Sequence, residues 1–180
     1  MPNYVALIQR KNTAQLLAML QSISNGIPIP GWQRGGAFEH IVLRAFEIEG
    51  AEVQWPFRVP YNGHTLEQID GAIYYGGLFC LVESKDYNGR INVEPIAKLR
   101  NQLMRRPGGT IGLVFARSGF TEPAKILTRM MNPLSILLWE FDELEEALRT
   151  STMCAALKTK FRFAVEQGMP DFNTVVRLWP

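Results

Sequence analysis

The sequence predicts an α/β protein in which a mixed central β-sheet is flanked by helices. Helical and strand periodicities alternate along most of the chain, in the order helix, three strands, helix, strand, helix, strand, helix. The stretches "TIGLVFA" and "LSILLWEF" are continuously apolar, as strands buried on both faces must be. A helix-length segment precedes each of these two strands, which is the crossover that parallel pairing requires. A chain of 180 residues, 47% hydrophobic and 20% charged, can bury a sizeable core, which excludes disorder and fibrous repeats.

The elements follow in order. "TAQLLAMLQSIS" is an amphipathic leading helix, stopped by Asn25-Gly26 and by Pro28 and Pro30. In "GGAFEHIVLRAFEIEG" the residues Phe38, Ile41, Val42, Ala45, Phe46 and Ile48 recur at helical spacing before Gly50, giving the first core helix. "EVQWPFRVPY" predicts an edge strand, because Pro56 and Pro60 would interrupt a central ladder, and Asn62-Gly63 supplies a tight turn. "NVEPIAKLRNQLMRR" sets Val93, Ile96, Leu99, Leu103 and Met104 on one helical face, and Lys98, Arg100, Arg105 and Arg106 on another. "TEPAKILTRMM" starts with a Thr121 cap and Pro123 in its first turn, and "DELEEALRT" restarts a helix. The tail "STMCAALKTKFRFAVEQG" is a further helix closed by Gly168 and Pro170. The expected divisions are a helix and loop over 1–34, a core over 35–150, and a helical extension over 151–180 that packs on the core or on a second subunit.

Between Gln68 and Lys85, "QIDGAIYYGGLFCLVESK" reads as two apolar strands around a Gly76-Gly77 turn, yet it carries Asp70, Glu83 and Lys85. A two-residue turn pairs Tyr75 with Leu78 and Tyr74 with Phe79; continuing the count brings Asp70 opposite Glu83 and Gln68 opposite Lys85. Alternation then gathers Gln68, Asp70, Glu83 and Lys85 on one face, beside Ala72 and Leu81, with Ile69, Ile73 and Val82 on the other. Two carboxylates about 5 Å apart repel by roughly 3 kcal/mol at an effective dielectric near 20. A divalent, oxygen-seeking cation such as Mg²⁺ or Mn²⁺ would offset that repulsion. The alternatives are that Lys85 neutralises both acids in a surface network, or that the turn slips by one residue and separates them.

A net charge of +2 and a pI near 8.6 permit a nucleic-acid partner without requiring one. Cys80 and Cys154 lack zinc-ligand spacing and are expected to be free thiols in a reducing cytoplasm. No run approaches the roughly 20 apolar residues of a membrane span, so the expectation is a soluble protein without a membrane partner. His40 and His64, the only histidines, give little support to Cys-His or Ser-His catalysis.

Asp70, twelve intervening residues and then "ESK" resembles the PD-(D/E)XK nuclease signature, and "FEHIVLRAFEIEG", "IDGAIYY", "LVESKDY" and "GLVFARSGFTEPA" resemble the Mrr-like restriction endonucleases over about residues 35 to 141. The resemblance implies a restriction-endonuclease-like sandwich and hydrolysis of DNA phosphodiester bonds with Mg²⁺ or Mn²⁺. It assigns Asp70 and Glu83 as metal ligands, Lys85 as the residue orienting water and the scissile phosphate, and Glu39 as an extra acid on the first core helix. Ile69 stands where the signature has proline, and Glu83 where many Mrr-like sequences carry glutamine; a carboxylate is the stronger ligand for Mg²⁺.

For DNA, Gln68, Tyr87, Arg90 and Lys98 are the expected contacts, beside the further cations Arg100, Arg105 and Arg106, because phosphate contacts need cations and donors rather than a fixed order. Two other readings stay open: a nuclease of branched or repair DNA or of RNA, and a non-catalytic DNA-binding module that keeps the fold. One active site cuts one strand, so a homodimer is the simplest route to a double-strand break.

Overall fold

The computed structural model describes residues 3–33 and 35–175. The chain opens with helices α1 (Tyr4–Gln9) and α2 (Thr13–Ser24). Each is capped by an asparagine that accepts a backbone N–H: Asn3 from Ala6 at 3.1 Å and Asn12 from Gln15 at 3.0 Å. The second is the helix expected from its periodicity; the first is too short for a 3.6-residue repeat to declare itself. Ile8, Leu16, Leu20 and Ile23 from these helices join one buried cluster with Phe38, Ile41, Val42 and Phe46 of α3 (Gly36–Ile48).

The three strands expected next are five. "EVQWPFRVPY" is not one edge strand: β1 (Glu52–Gln54) edges the main sheet, and β2 (Phe57–Tyr61) leaves it to pair with β3 (His64–Ile69) in a separate two-stranded sheet. The chain divides at Trp55-Pro56, where proline brings no N–H to a ladder. Asn62 and Gly63, at φ 47° and 80°, make the turn between β2 and β3.

The central hairpin is β4 (Gly71–Tyr75) and β5 (Leu78–Lys85) around Gly76 and Gly77. Their φ values of 58° and 83° suit the left-handed pair of a type I′ turn. The register runs from Tyr75 opposite Leu78 to Gly71 opposite Val82, as the count from the turn requires. The ladder then stops, because β3 and β4 are separated at Asp70. Gln68 therefore does not face Lys85; it pairs with Arg58 in the small sheet. The same break sends Ile69 into the cluster holding Ala72 and Leu81, not to the opposite face.

The remaining elements keep the expected order: α4 (Val93–Leu103), β6 (Thr110–Ala116), α5 (Glu122–Arg129), β7 (Ile136–Glu140), α6 (Phe141–Arg149) and α7 (Met153–Gln167). The sheet order is β1-β4-β5-β6-β7, antiparallel from β1 to β5 and parallel from β5 to β7. Helices α1, α2, α3, α6 and α7 cover one face, and α4 and α5 the other. On α4, Ile96, Leu99 and Leu103 are buried, whereas Val93 and Met104 at its two ends are exposed. Of the tail, α7 covers this chain's own core through Leu157 and Ala164, and Gly168 ends it in the left-handed conformation; residues 176–180 lie outside the described residues.

One charged feature of the tail has no signal in the sequence pattern. Lys160 is fully buried, and its Nζ donates to Leu138 O at 2.7 Å, to Phe172 O, and to the equally buried Glu143 at 2.8 and 3.1 Å. Glu143 in turn accepts from Thr174 N at 2.9 Å and Glu140 N at 3.0 Å. One ion pair thus ties α6, α7, β7 and the segment after α7 together. Removing one partner strands the other charge in the interior, which typically costs about 3–5 kcal/mol. Lys160→Ala should lose stability of that order, read as a lower urea midpoint at unchanged m-value.

Candidate active site

Asp70 and Glu83 are brought together by the hairpin register. One step beyond the Gly71–Val82 pair places Asp70 at the level of Glu83, and the Asp70 carboxylate is fixed by Ser84, whose N donates to Oδ2 at 2.8 Å and whose Oγ does so at 3.3 Å. Glu83 shares its side of the sheet with Leu81, toward α4, and is completely buried. Gly71 makes the approach of α3 possible: a Cβ there would lie 2.6 Å from Leu43 Cδ2 and 3.0 Å from Gln54 O.

Two lysines neutralise Glu83. Lys85, two residues along the same strand, pairs with Oε1. Lys98, reaching in from α4, sets its Nζ 3.0 Å from Oε1 and 2.9 Å from Oε2. Lys85 is well covered, and its Nζ also donates to Ser84 O at 3.4 Å. Burial works against the Lys85 charge, but Glu83, Asp70 and Tyr87 outweigh it and raise its pKa. Burial raises the Asp70 pKa, as does the charge of Glu83, while Ser84 N, Lys85 and Lys98 oppose the shift.

Glu39 joins the group from the first turn of α3. Burial pushes its carboxyl up to about 8, reinforced by Asp70 and Glu83 and opposed by Lys85 and Lys98. All four expected catalytic residues, Glu39, Asp70, Glu83 and Lys85, therefore share one electrostatic environment. Among the described residues, no three His, Cys, Asp or Glu side chains converge as a ready metal cluster. Asp70 and Glu83 are all-oxygen donors of the kind that suits Mg²⁺ or Mn²⁺, with both Glu83 oxygens held by lysines in this arrangement.

The expected DNA contacts lie on two clefts that meet at the lysines. One, of about 490 Å³, is lined by Glu83, Lys85, Tyr87, Arg90 and Lys98. The other, of about 590 Å³, is lined by Gln68, Asp70, Lys85, Lys98 and Asn101. Gln68, Tyr87 and Arg90 are exposed. The basic face of α4 is less available than its sequence suggests. Besides Lys98, Arg105 and Arg106 are paired with the buried Glu67, and Arg100 reaches Asn132 O at 3.3 Å.

Two contributors have no local signal in the sequence. Ser84 holds Asp70. Arg117, just past β6, fixes the segment after Lys85 by an ion pair with Asp86 at 3.0 Å and a hydrogen bond to Tyr87 O at 3.3 Å, and ties it to the end of α2 through Ile23 O at 2.8 Å. The parallel register, Lys85 beside Ala116, is what brings Arg117 there. His40 is structural: it is buried among Tyr4, Trp32 and Trp55 and bonded to Gly36 O at 2.8 Å, and burial lowers its pKa. Burial also pushes the thiols of Cys80 and Cys154 up to about 12 and about 11, so neither is an activated nucleophile.

A mixed five-stranded sheet between helices, with an acid pair and a lysine at the end of its central hairpin, is a restriction-endonuclease-like fold. The chain belongs to the Mrr-type restriction endonuclease family: Mrr_cat, described as "Restriction endonuclease", matches residues 33–148. A crystal structure titled "Protein of Unknown Function AF1548" has the same fold, with 18% identity over 73% of this chain and 77% of that one and a TM-score of 0.50. The MspJI restriction endonuclease in complex with a 27-mer oligonucleotide aligns with 92% of this chain and 38% of its own length, at 18% identity and a TM-score of 0.47. No curated protein matches the chain.

The raised pKa of Glu39 has a signed consequence for stability. Its carboxyl titrates near 4.5 when unfolded and near 8 when folded, so its stabilising contribution is complete below about 4.5 and lost as pH rises toward 8. In the presence of a chelator, Glu39→Gln should therefore gain thermal stability relative to the wild type between about pH 5 and 8, as followed by melting temperature.

Proposed function

We propose that the protein is an endodeoxyribonuclease, dependent on Mg²⁺ or Mn²⁺ and of the restriction or defence type, working in the cytoplasm. The observation that carries this reading is the fully buried Glu83 level with Asp70, with Lys85 held against it at the meeting point of two open clefts. Asp70 and Glu83 would hold the ion, which when bound supplies a Lewis acid that polarises the phosphodiester and lowers the pKa of a bound water. Lys85 orients that water and the scissile phosphate, and its fixed positive charge lies where negative charge builds on the phosphorus oxygens. Glu39 adds a titratable carboxyl at the edge of the same centre. Gln68, Tyr87, Arg90 and Lys98 guide the DNA backbone along the clefts, with residues 1–34 and 151–180 as flanking segments of the nuclease core.

Incubation with plasmid, branched DNA and RNA, with and without Mg²⁺, tests the assignment: metal-dependent cutting of plasmid is expected. Lys85→Ala leaves Glu83 paired with Lys98, so the fold should persist and DNA affinity should fall by only about 1 kcal/mol. The cleavage rate should fall about 100- to 1,000-fold. Wild-type cutting by this variant at saturating Mg²⁺ would reduce Lys85 to a structural counter-ion.

Two nuclease centres are needed to break both strands at one place, and we propose a homodimer as the working form. Sedimentation equilibrium should show the dimer; a monomer at every accessible concentration removes it.

A further inference from the structure

We propose that Lys98 is a displaceable counter-ion: its ammonium occupies the carboxylate of Glu83 while no divalent cation is bound, and moves into the cleft toward DNA phosphate once a cation arrives. This rests on the metal-dependent reading above and gives Lys98 a second role besides touching DNA.

Glu83 cannot stay charged and fully buried without a partner, and it has two unequal ones. Lys85 comes from the same strand, its side chain is only 17% exposed, and a backbone carbonyl also holds it. Lys98 comes from the facing helix, its side chain is 47% exposed, and no other acceptor accompanies Glu83 among its hydrogen bonds. Its departure therefore requires only rotation of a flexible four-carbon stem into water. The helix itself need not move, because Ile96 and Leu99 on either side of Lys98 are fully buried and pin α4 to the sheet.

Lys98 also occupies the position a cation needs. Its nitrogen lies within 3.0 Å of both Glu83 oxygens, and a dication bound to either oxygen at about 2.1 Å would repel the ammonium at close range. With Lys98 in place, Asp70 and Glu83 are balanced one for one by Lys85 and Lys98. Replacing Lys98 by a dication leaves a net positive centre, the sign that attracts phosphate. The displaced ammonium has a destination, since Lys98 lines both clefts flanking the centre.

Competition fixes the sign of the test. Mn²⁺ binding without DNA is measured by paramagnetic resonance of the free ion and by calorimetry for the wild type, Lys98→Met, Lys98→Arg and Asp70→Asn. Lys98→Met, of similar length and neutral, should bind Mn²⁺ roughly tenfold or more tightly, the worth of one lost charge-assisted hydrogen bond. Lys98→Arg, whose planar fork grips a carboxylate at two points, should bind it more weakly than the wild type. A second readout uses DNA: the salt dependence of duplex binding should lose about one unit of slope in Lys98→Met when metal is present, and stay at the wild-type value in chelator. Equal or weaker Mn²⁺ binding by Lys98→Met, with normal binding by the wild type, overturns the inference and leaves the nuclease reading standing. If neither wild type nor Lys98→Met binds Mn²⁺, the metal reading itself fails and takes the inference with it.

Discussion

Keeping one charge inside a sheet is the constraint on which the centre depends. Glu83 sits on β5 just past the last β4 pair, opposite Val114 of β6, with no accessible surface. A carboxylate so placed requires cations within a few ångströms, and the fold supplies them from two directions: along β5 through Lys85 and across from α4 through Lys98. The position of α4, the hairpin register and the break at Asp70 are all tied to this need. The Asp70 carboxylate accepts from Ser84 and lines the cleft it shares with Lys85 and Lys98.

The parallel half of the sheet does a different task. Strands β5, β6 and β7 run in register, so their C-terminal ends form a common edge where Lys85, Ala116 and Glu140 end their strands. Loops leaving that edge are held by Arg117, which collects Asp86, Tyr87 and Ile23 O into one anchor. The N-terminal helices thus bear on the centre twice: through Ile8, Leu16 and Leu20 under α3, which carries Glu39, and through the end of α2 at Arg117. A disturbance of α2 reaches Glu39 by packing under α3 and the loop after Lys85 through the Arg117–Ile23 hydrogen bond.

What is legible in the sequence here is whatever a local period encodes. The Gly76-Gly77 turn, the alternation along "LFCLVESK" and the helical spacing of Ile96, Leu99 and Leu103 specify the hairpin register and the buried side of α4, and with them the approach of Asp70 to Glu83. Long-range partners carry no such period. Lys98 reads as one cation among several on a solvated helix face, and only its contact with both oxygens of Glu83 sets it apart from Arg100, Arg105 and Arg106. The same holds for Lys160, which ordinary charge patterning assigns to the surface, yet it is sealed against Glu143 and Leu138 O. The division of one strand at Pro56 and of another at Asp70 is a tertiary effect as well, since each half satisfies its hydrogen bonds in a different sheet.

The distribution of these buried charges separates stability from chemistry. Lys160 and Glu143 are both sealed and are supplemented by backbone groups on either side, so every donor and acceptor has a fixed partner and nothing is left to react. The Glu83 group is built the opposite way. Its acids outnumber its cations once Glu39 is counted, burial with the help of Asp70 and Glu83 pushes the Glu39 carboxyl up to about 8, and one of its two lysines stands half in water. Burial alone does not distinguish a structural ion pair from a functional one. The difference lies in whether the partners are saturated: at Glu83 one partner, Lys98, is half exposed and lines open clefts, whereas at Glu143 the partner lysine is sealed.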